Sequence, residues 1–244
     1  MLQACHKEPF VLRSVVAIGA INKSIKMQYE ASFGPGKLRD MHRSISKQHR
    51  EFALIAYDKA ITGMRQIELD PDAPSALRKA LMACLLVHCI EVYLGSPRNG
   101  FNQIGTGYNL LLQWIAKNNK PDAGISSPDP KVIEDELFHE ISRLNTQSVS
   151  MLNQNDLVHH TKRRLEASEM VRSMPSRFAS LDEARAYQEL IVRQSTHLTG
   201  ETYARIMAAK LELGHPQTAD SPREVVDPWY ALYFSVHYSP LRNC

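Results

Sequence analysis

A carboxylate interrupts a long apolar segment in the first half of the chain. Residues 81–87 are apolar throughout, and Glu91 follows them on the same predicted helix. A buried carboxylate is costly unless it is paired or hydrogen-bonded. His88, one helical turn before Glu91, is within reach of such pairing. Two interpretations follow: a polar contact between core helices, or a polar group at the floor of a ligand pocket.

The pocket interpretation predicts a set of ligand-binding side chains. Helical cores host such pockets, in which a few polar groups stand among apolar and aromatic walls. Two polar residues would supply the floor here, and three aromatic residues on the same and the next predicted helix would supply the walls. The candidate ligand-binding residues are His88, Glu91, Tyr93, Tyr108 and Trp114. No residue is assigned a catalytic role.

Motifs for metals and nucleophiles are weak. His88 with Glu91, and Glu136 with His139, each place two ligand types on one helix face. A di-iron bundle needs Glu-x-x-His on two helices, and the first pair has the opposite order. Such a bundle also needs a carboxylate from each of two further helices, and none is obvious in the sequence. No cysteine pair has zinc-finger spacing, and no Gly-x-Ser-x-Gly motif occurs. We therefore expect no metal site and no cofactor.

Composition and charge argue against a nucleic-acid-binding domain. The chain has 244 residues, of which 43% are hydrophobic and 23% are charged, as is ordinary for a globular protein. Its formal net charge is +3 and its pI is about 8.6, whereas a dedicated DNA-binding domain usually has a pI above about 9. The densest basic run, residues 159–164, is typical of a solvated helix face. We expect no direct DNA binding.

The sequence also lacks the pattern of a membrane or secreted protein. No uncharged apolar stretch reaches the roughly 18 residues of a spanning helix, and the apolar segment at residues 15–21 is too short for a signal peptide. The four cysteines are too few and too widely spaced for a disulfide framework. Cys84 and Cys89 lie in an apolar helix, which makes a thiol unreactive. We expect an intracellular protein, in the nucleus or cytoplasm, with no membrane partner.

Helical periodicity dominates the chain and predicts an all-α fold. Apolar residues recur at intervals of three and four, and no alternating run of strand length stands out. The pattern predicts one domain over residues 1–244, a single irregular bundle of about seven to nine helices. Residues 75–94 are its predicted central helix, because residues 81–87 are apolar on every face. Ser180 and Glu183 form a capping box that begins a long helix.

Two predicted helices precede the central one, and each has a predicted apolar face. The stripe on the first helix consists of Leu12, Val15, Val16, Ile18 and Ile21. The second helix covers residues 38–66, and its apolar positions are Ile45, Phe52, Ile55, Ala56, Ala60 and Met64. The tail at residues 222–240 is rich in aromatic residues, so we expect it to dock onto the body of the protein.

Several short motifs follow one another in a recognisable order. The three strongest are residues 52–61 (FALIAYDKAI), residues 81–91 (LMACLLVHCIE) and residues 107–111 (GYNLL). Weaker ones lie at residues 9–20, 135–147 and 178–185. In this order, over roughly residues 4–190, the set resembles the regulatory domain of fungal binuclear zinc-cluster transcription factors.

That resemblance implies an all-α scaffold and a role in transcription, in association with a fungal secondary-metabolite gene cluster. The family reads DNA through an N-terminal cysteine cluster that holds zinc, and this sequence contains no such cluster. The resemblance therefore implies a regulator-like protein without its own DNA-binding domain. Such a protein would act through a small-molecule ligand or a protein partner, for example a full-length transcription factor.

A second hypothesis is a cofactor-independent enzyme of fungal secondary metabolism. A pocket that holds one conformer of its substrate can accelerate a cyclisation, an isomerisation or a pericyclic reaction by orientation alone. Such a reaction needs neither a catalytic triad nor a metal, so the missing motifs do not count against it. Whether the protein is an enzyme or a regulator stays open on sequence grounds.

Overall fold

The computed structural model describes residues 2–67, 74–118, 120, 125–152 and 157–212. These residues form eight α-helices and no strand, which confirms the predicted all-α class and the predicted number of helices. The helices are α1 (Leu2–Lys7), α2 (Pro9–Phe33), α3 (Gly36–Arg65), α4 (Pro74–Tyr93), α5 (Pro97–Lys117), α6 (Asp135–Leu152), α7 (Leu157–Arg172) and α8 (Leu181–Glu212). None of these described helices is both long and apolar enough to cross a bilayer.

The chain divides into two compact units between Asn145 and Thr146. Unit 1 holds α1 to α5 and the first part of α6, and unit 2 holds the rest of α6 with α7 and α8. The prediction of a single domain over residues 1–244 stays a prediction. The tail at residues 222–240, predicted to dock onto the body, lies outside the described residues.

Helix α4 is the central helix of unit 1, as its apolar sequence predicts. Leu81 packs in a core cluster with residues of α5 and α6, Leu86 packs with Phe10 and Val11 of α2, and Ile90 packs with residues of both α2 and α3. One helix thus contributes to three separate apolar clusters, which is why nearly every face of it is apolar.

The contact between α2 and α3 is made by small residues. Ala17 and Ala20 of α2 pack against Ala53 and Ala56 of α3 in one apolar cluster. Farther along the pair, Ser24 and Ser46 each donate a hydroxyl hydrogen bond of 2.9 Å to the other's backbone carbonyl. Small side chains allow the two helix backbones to approach closely, and the paired hydroxyls satisfy each other in the buried seam.

The apolar faces predicted for α2 and α3 are partly wrong, because small residues make the contact between these helices. Four large residues that were expected in the core are exposed by 40% or more: Leu12, Val16, Phe52 and Ile55. Ile21, Ala56 and Ala60 are buried as predicted. Because the close contact selects alanine and serine, these four large apolar residues lie on a different face from the buried one.

Unit 2 is built on the packing of α7 against α8. The predicted capping box is present, since Ser180 Oγ accepts the backbone N–H of Glu183 at 3.1 Å and the Glu183 carboxylate accepts the N–H of Ala179. Helix α7 has only sparse apolar residues. Its buried residues are few, and two of them are His160 and Ala167, so polar groups carry an unusual share of this contact.

Candidate functional site

A cavity of about 470 Å³ lies in unit 1 among α3, α4 and α5. Helix α3 contributes its last two turns and Tyr57, α4 contributes its C-terminal half, and α5 contributes its first turns. The lining residues are Tyr57, Ile61, Met64, Arg65, Ala83, Cys84, Val87, Glu91, Asn99, Asn102 and Gln103. The cavity therefore combines an apolar wall with a carboxylate, a guanidinium, a phenol and three amides.

The polar centre of the cavity is a contact between Tyr57 and Glu91. The Tyr57 hydroxyl donates a 2.8 Å hydrogen bond to Glu91 Oε1. Tyr57 faces α4 because it shares a helix face with Ala53 and Ala60, both fully buried. Burial, together with the hydrogen bond and the negative charge of Glu91, raises the pKa of Tyr57 above its ordinary value. The phenol therefore stays protonated at neutral pH and remains the donor.

Apart from the guanidinium of Arg65, the rest of the cavity wall is apolar or uncharged. Ile61 and Met64 of α3 face Ala83 and Val87 of α4 across the space. Cys84 also lines the cavity, and burial raises the pKa of its thiol to about 11. At neutral pH this thiol is uncharged and a poor nucleophile, as its apolar helix predicts.

His88 lies on another side of α4 from the cavity. Its ring packs on Phe101 of α5 with a centroid separation of 4.9 Å. Gly100 leaves room for the His88 ring, because a Cβ at position 100 would lie only 3.0 Å from His88 Nδ1. Burial lowers the pKa of His88, so the imidazole is neutral in the core. The partner of Glu91 is Tyr57, 34 positions away, and the expected pairing with His88 is not formed.

The three predicted aromatic walls also lie away from the cavity. Tyr108 is buried in the core cluster of α4, α5 and α6, and Trp114 packs against the same cluster. Tyr93 is exposed at the C-terminal end of α4. Of the five predicted residues, the cavity thus includes Glu91 alone, and the set as a ligand-binding group stays a prediction. The missed residue is Tyr57, whose helical spacing from the buried alanines was the available signal.

A second polar cluster lies between α7 and α8 in unit 2. The Nδ1 atoms of His160 and His197 are 3.1 Å apart and both side chains are buried. Glu201 accepts hydrogen bonds from Arg164 at 2.7 Å and from Arg205 at 2.8 Å. The basic run at residues 159–164 is therefore only partly the solvated face predicted, since His160 is 1% exposed.

The described ranges contain no group of three or more His, Cys, Asp or Glu side chains that could hold a metal ion. No family model, curated protein or solved structure matches the chain. The resemblance to the zinc-cluster family accordingly stays an interpretation of the sequence motifs.

Proposed function

We propose that the chain is a regulatory module that binds a small molecule in the cavity among α3, α4 and α5. The observation that carries the proposal is the pairing of Tyr57 with Glu91 at 2.8 Å on the wall of a 470 Å³ space. Cavities of this size, mostly apolar with a few fixed polar groups, are typical ligand sites.

The sequence motifs supply the biological part of the proposal. Their resemblance to fungal zinc-cluster regulators suggests that ligand binding is read out as a change in transcription, in the nucleus or the cytoplasm. With a net charge of +3 the chain has little attraction for DNA. Its output would pass through a protein partner, such as a full-length transcription factor.

Catalysis is the second candidate, and one observation favours it. A protonated phenol held beside a carboxylate is a proton donor next to a proton acceptor, which is the minimum for general acid–base chemistry. On substrate binding the Tyr57 hydroxyl would turn from Glu91 to a substrate carbonyl and polarise it, and Glu91, released from that bond, could accept a proton while the apolar wall holds one conformer. A cyclisation, an isomerisation or a pericyclic rearrangement would suit such a site without any cofactor.

A substitution that fills the cavity tests both candidates. Asn102 lines the cavity on the exposed side of α5, so Asn102→Trp obstructs it with little cost to the core. Asn109→Trp, on the exposed face of the same helix and outside the cavity, is the matched control. Each variant replaces the native chain in its host, and neighbouring transcripts and extracted small molecules are measured from one culture.

The two candidates predict different results. Under the regulator proposal, Asn102→Trp lowers a set of neighbouring transcripts together, as deletion of the gene does. Under the enzyme candidate, transcripts hold steady and one intermediate accumulates. A host in which Asn102→Trp is folded and both readouts match Asn109→Trp and the native chain would overturn the assignment of function to this cavity.

A further inference from the structure

Glu91 occupies a position where helix electrostatics disfavour a carboxylate. It lies in the last turn of α4, which ends at Tyr93. The exposed carbonyls of a helix C-terminus carry partial negative charge, which repels an anion and attracts a cation. Glu91 is also half-buried, so part of its hydration is lost. A cation placed beside Glu91 would therefore be favoured by the helix end as well as by the carboxylate.

Three other carboxylates that are withdrawn from solvent are paired with cations. Half-buried Glu8 is 2.9 Å from Lys79, half-buried Glu166 is 2.8 Å from Arg163, and buried Glu201 is held by two arginines. Among the described residues, the Glu91 carboxylate has the Tyr57 hydroxyl as its hydrogen-bond partner and forms no ion pair. A neutral phenol leaves the negative charge of Glu91 uncompensated.

One candidate for a compensating charge is Arg65, which lines the same cavity. It is exposed at the C-terminal end of α3 and makes no ion pair with Glu91 in the described part of the chain. A solvated guanidinium contributes little to the neutralisation of a separate, half-buried carboxylate, because water screens it. The space between the apolar wall and Glu91 therefore has a negative end.

We propose that the cavity binds an organic cation: an ammonium group at Glu91, with an apolar body against Ile61, Met64 and Val87. This rests on the proposal above that the cavity is a ligand site. The Tyr57 hydroxyl occupies Oε1 and fixes the plane of the carboxylate. Oε2 then accepts a charge-assisted hydrogen bond from the ligand, which is stronger than a bond between neutral groups. The ammonium group also supplies the positive charge that the C-terminus of α4 favours.

Three probes with one apolar body separate charge from shape. These are 4-phenylbutylammonium, 4-phenylbutanol and 4-phenylbutyrate, titrated calorimetrically at pH 7 into the full chain. A hydrogen bond to a charged group is stronger than a neutral one by enough for about a tenfold difference in Kd. We expect the ammonium probe to bind about tenfold more tightly than the alcohol, and the carboxylate probe to bind most weakly.

Variants assign the preference to one side chain. Glu91→Gln should make the ammonium and alcohol probes bind alike, whereas the exposed Glu136→Gln in α6 should leave the preference intact. Tyr57→Phe should weaken binding of the ammonium probe and still favour it over the alcohol. Circular dichroism checks that each variant is folded, and Asn102→Trp should abolish binding of all three probes.

Each other outcome overturns a defined part of the argument. Equal binding of the ammonium and alcohol probes to the native chain would refute the cation preference and leave the cavity as a ligand site. Tightest binding of the carboxylate probe would mean that Arg65 sets the specificity. Failure of all three probes to bind would count against both the cation preference and the cavity as a ligand site. A preference that survives Glu91→Gln would remove Glu91 from the site.

Discussion

Glu91 in unit 1 and Glu201 in unit 2 are two carboxylates, both withdrawn from solvent, with opposite surroundings. Glu201 is 5% exposed and its oxygens accept bonds from Arg164 and Arg205. Glu91 accepts one bond from an uncharged phenol and borders a cavity. The charge of Glu201 is thus neutralised within the protein, while Glu91 forms no ion pair among the described residues. We expect the first arrangement to serve stability and, under the proposal above, the second to serve ligand binding.

The space around each carboxylate makes the same distinction. Next to Glu201, Gly200 lies directly against the imidazole ring of His160, so no room remains. Next to Glu91 lies about 470 Å³ of cavity. Tightly packed polar clusters are sensitive to any added atom or charge. Substitutions and pH changes should therefore disturb unit 2 far more than the surroundings of Glu91.

Acidification should give the largest effect, through the histidines of unit 2. Burial, and then the neighbouring His160 and His159, lower the pKa of His197 to about 3. A histidine in the unfolded chain has a pKa of about 6.5. Below that pH His197 is protonated in the unfolded chain and stays neutral in the folded chain, which favours unfolding. The stability present at pH 7 should fall by up to about 1.4 kcal/mol per pH unit from about pH 6.5 towards 3.

Urea unfolding at pH 7, 6 and 5 measures this loss. His197→Gln removes the titrating group and should flatten the pH dependence, while His49→Gln on α3 should not. If the native chain and His197→Gln lost stability in parallel over this range, the buried pair would not be the pH-sensitive element of unit 2.

Gly200→Ala should give the next largest effect. Its Cβ would overlap the ring of His160, and overpacking of this kind costs up to about 3 kcal/mol. At Gly105 in α5, a Cβ would meet no atom within 4 Å, so Gly105→Ala should instead gain about 0.5–1 kcal/mol from helix propensity. Denaturant unfolding of both variants tests the pair. A Gly200→Ala protein as stable as native would mean that the cluster is loosely packed.

Tyr57→Phe should have a smaller effect, a loss of about 1 kcal/mol from one hydrogen bond. In the Glu91→Gln background the same substitution should cost less, because the charged acceptor is gone. A double-mutant cycle from urea unfolding measures this coupling. Equal losses in both backgrounds would show that the negative charge of Glu91 adds nothing to the 2.8 Å contact.

Glu91→Gln should have the smallest effect on stability and should, if anything, stabilise the protein. Removing a negative charge from a helix C-terminus gains about 0.3–1 kcal/mol, which offsets the weaker bond from Tyr57. The matched Glu201→Gln should lower the melting temperature, because two arginines lose their partner. If Glu91→Gln and Glu201→Gln destabilised the protein equally, Glu91 would be a polar contact between core helices. The two carboxylates would then have the same role.

The sequence predicted the fold far better than the site. The apolar stretch of α4 and the capping box at Ser180 depend on neighbouring residues, and both were correctly interpreted. The buried faces of α2 and α3 depend on how closely the two helices approach. Phe52 and Ile55 were therefore wrongly predicted to be buried, and the buried Ala53 was not predicted. The site depends on residues brought together by folding: Tyr57 meets Glu91 across 34 positions, and His160 meets His197 across 37.

The serine pair between α2 and α3 has a mechanical consequence. Sliding one helix along the other would break both 2.9 Å bonds between Ser24 and Ser46 at once, so the pair resists shear. Because α2 also packs against Leu86 and Ile90 of α4, α2 ties α3, which carries Tyr57, to the helix that carries Glu91. The two halves of the polar contact are thus held in register by a seam that neither residue belongs to.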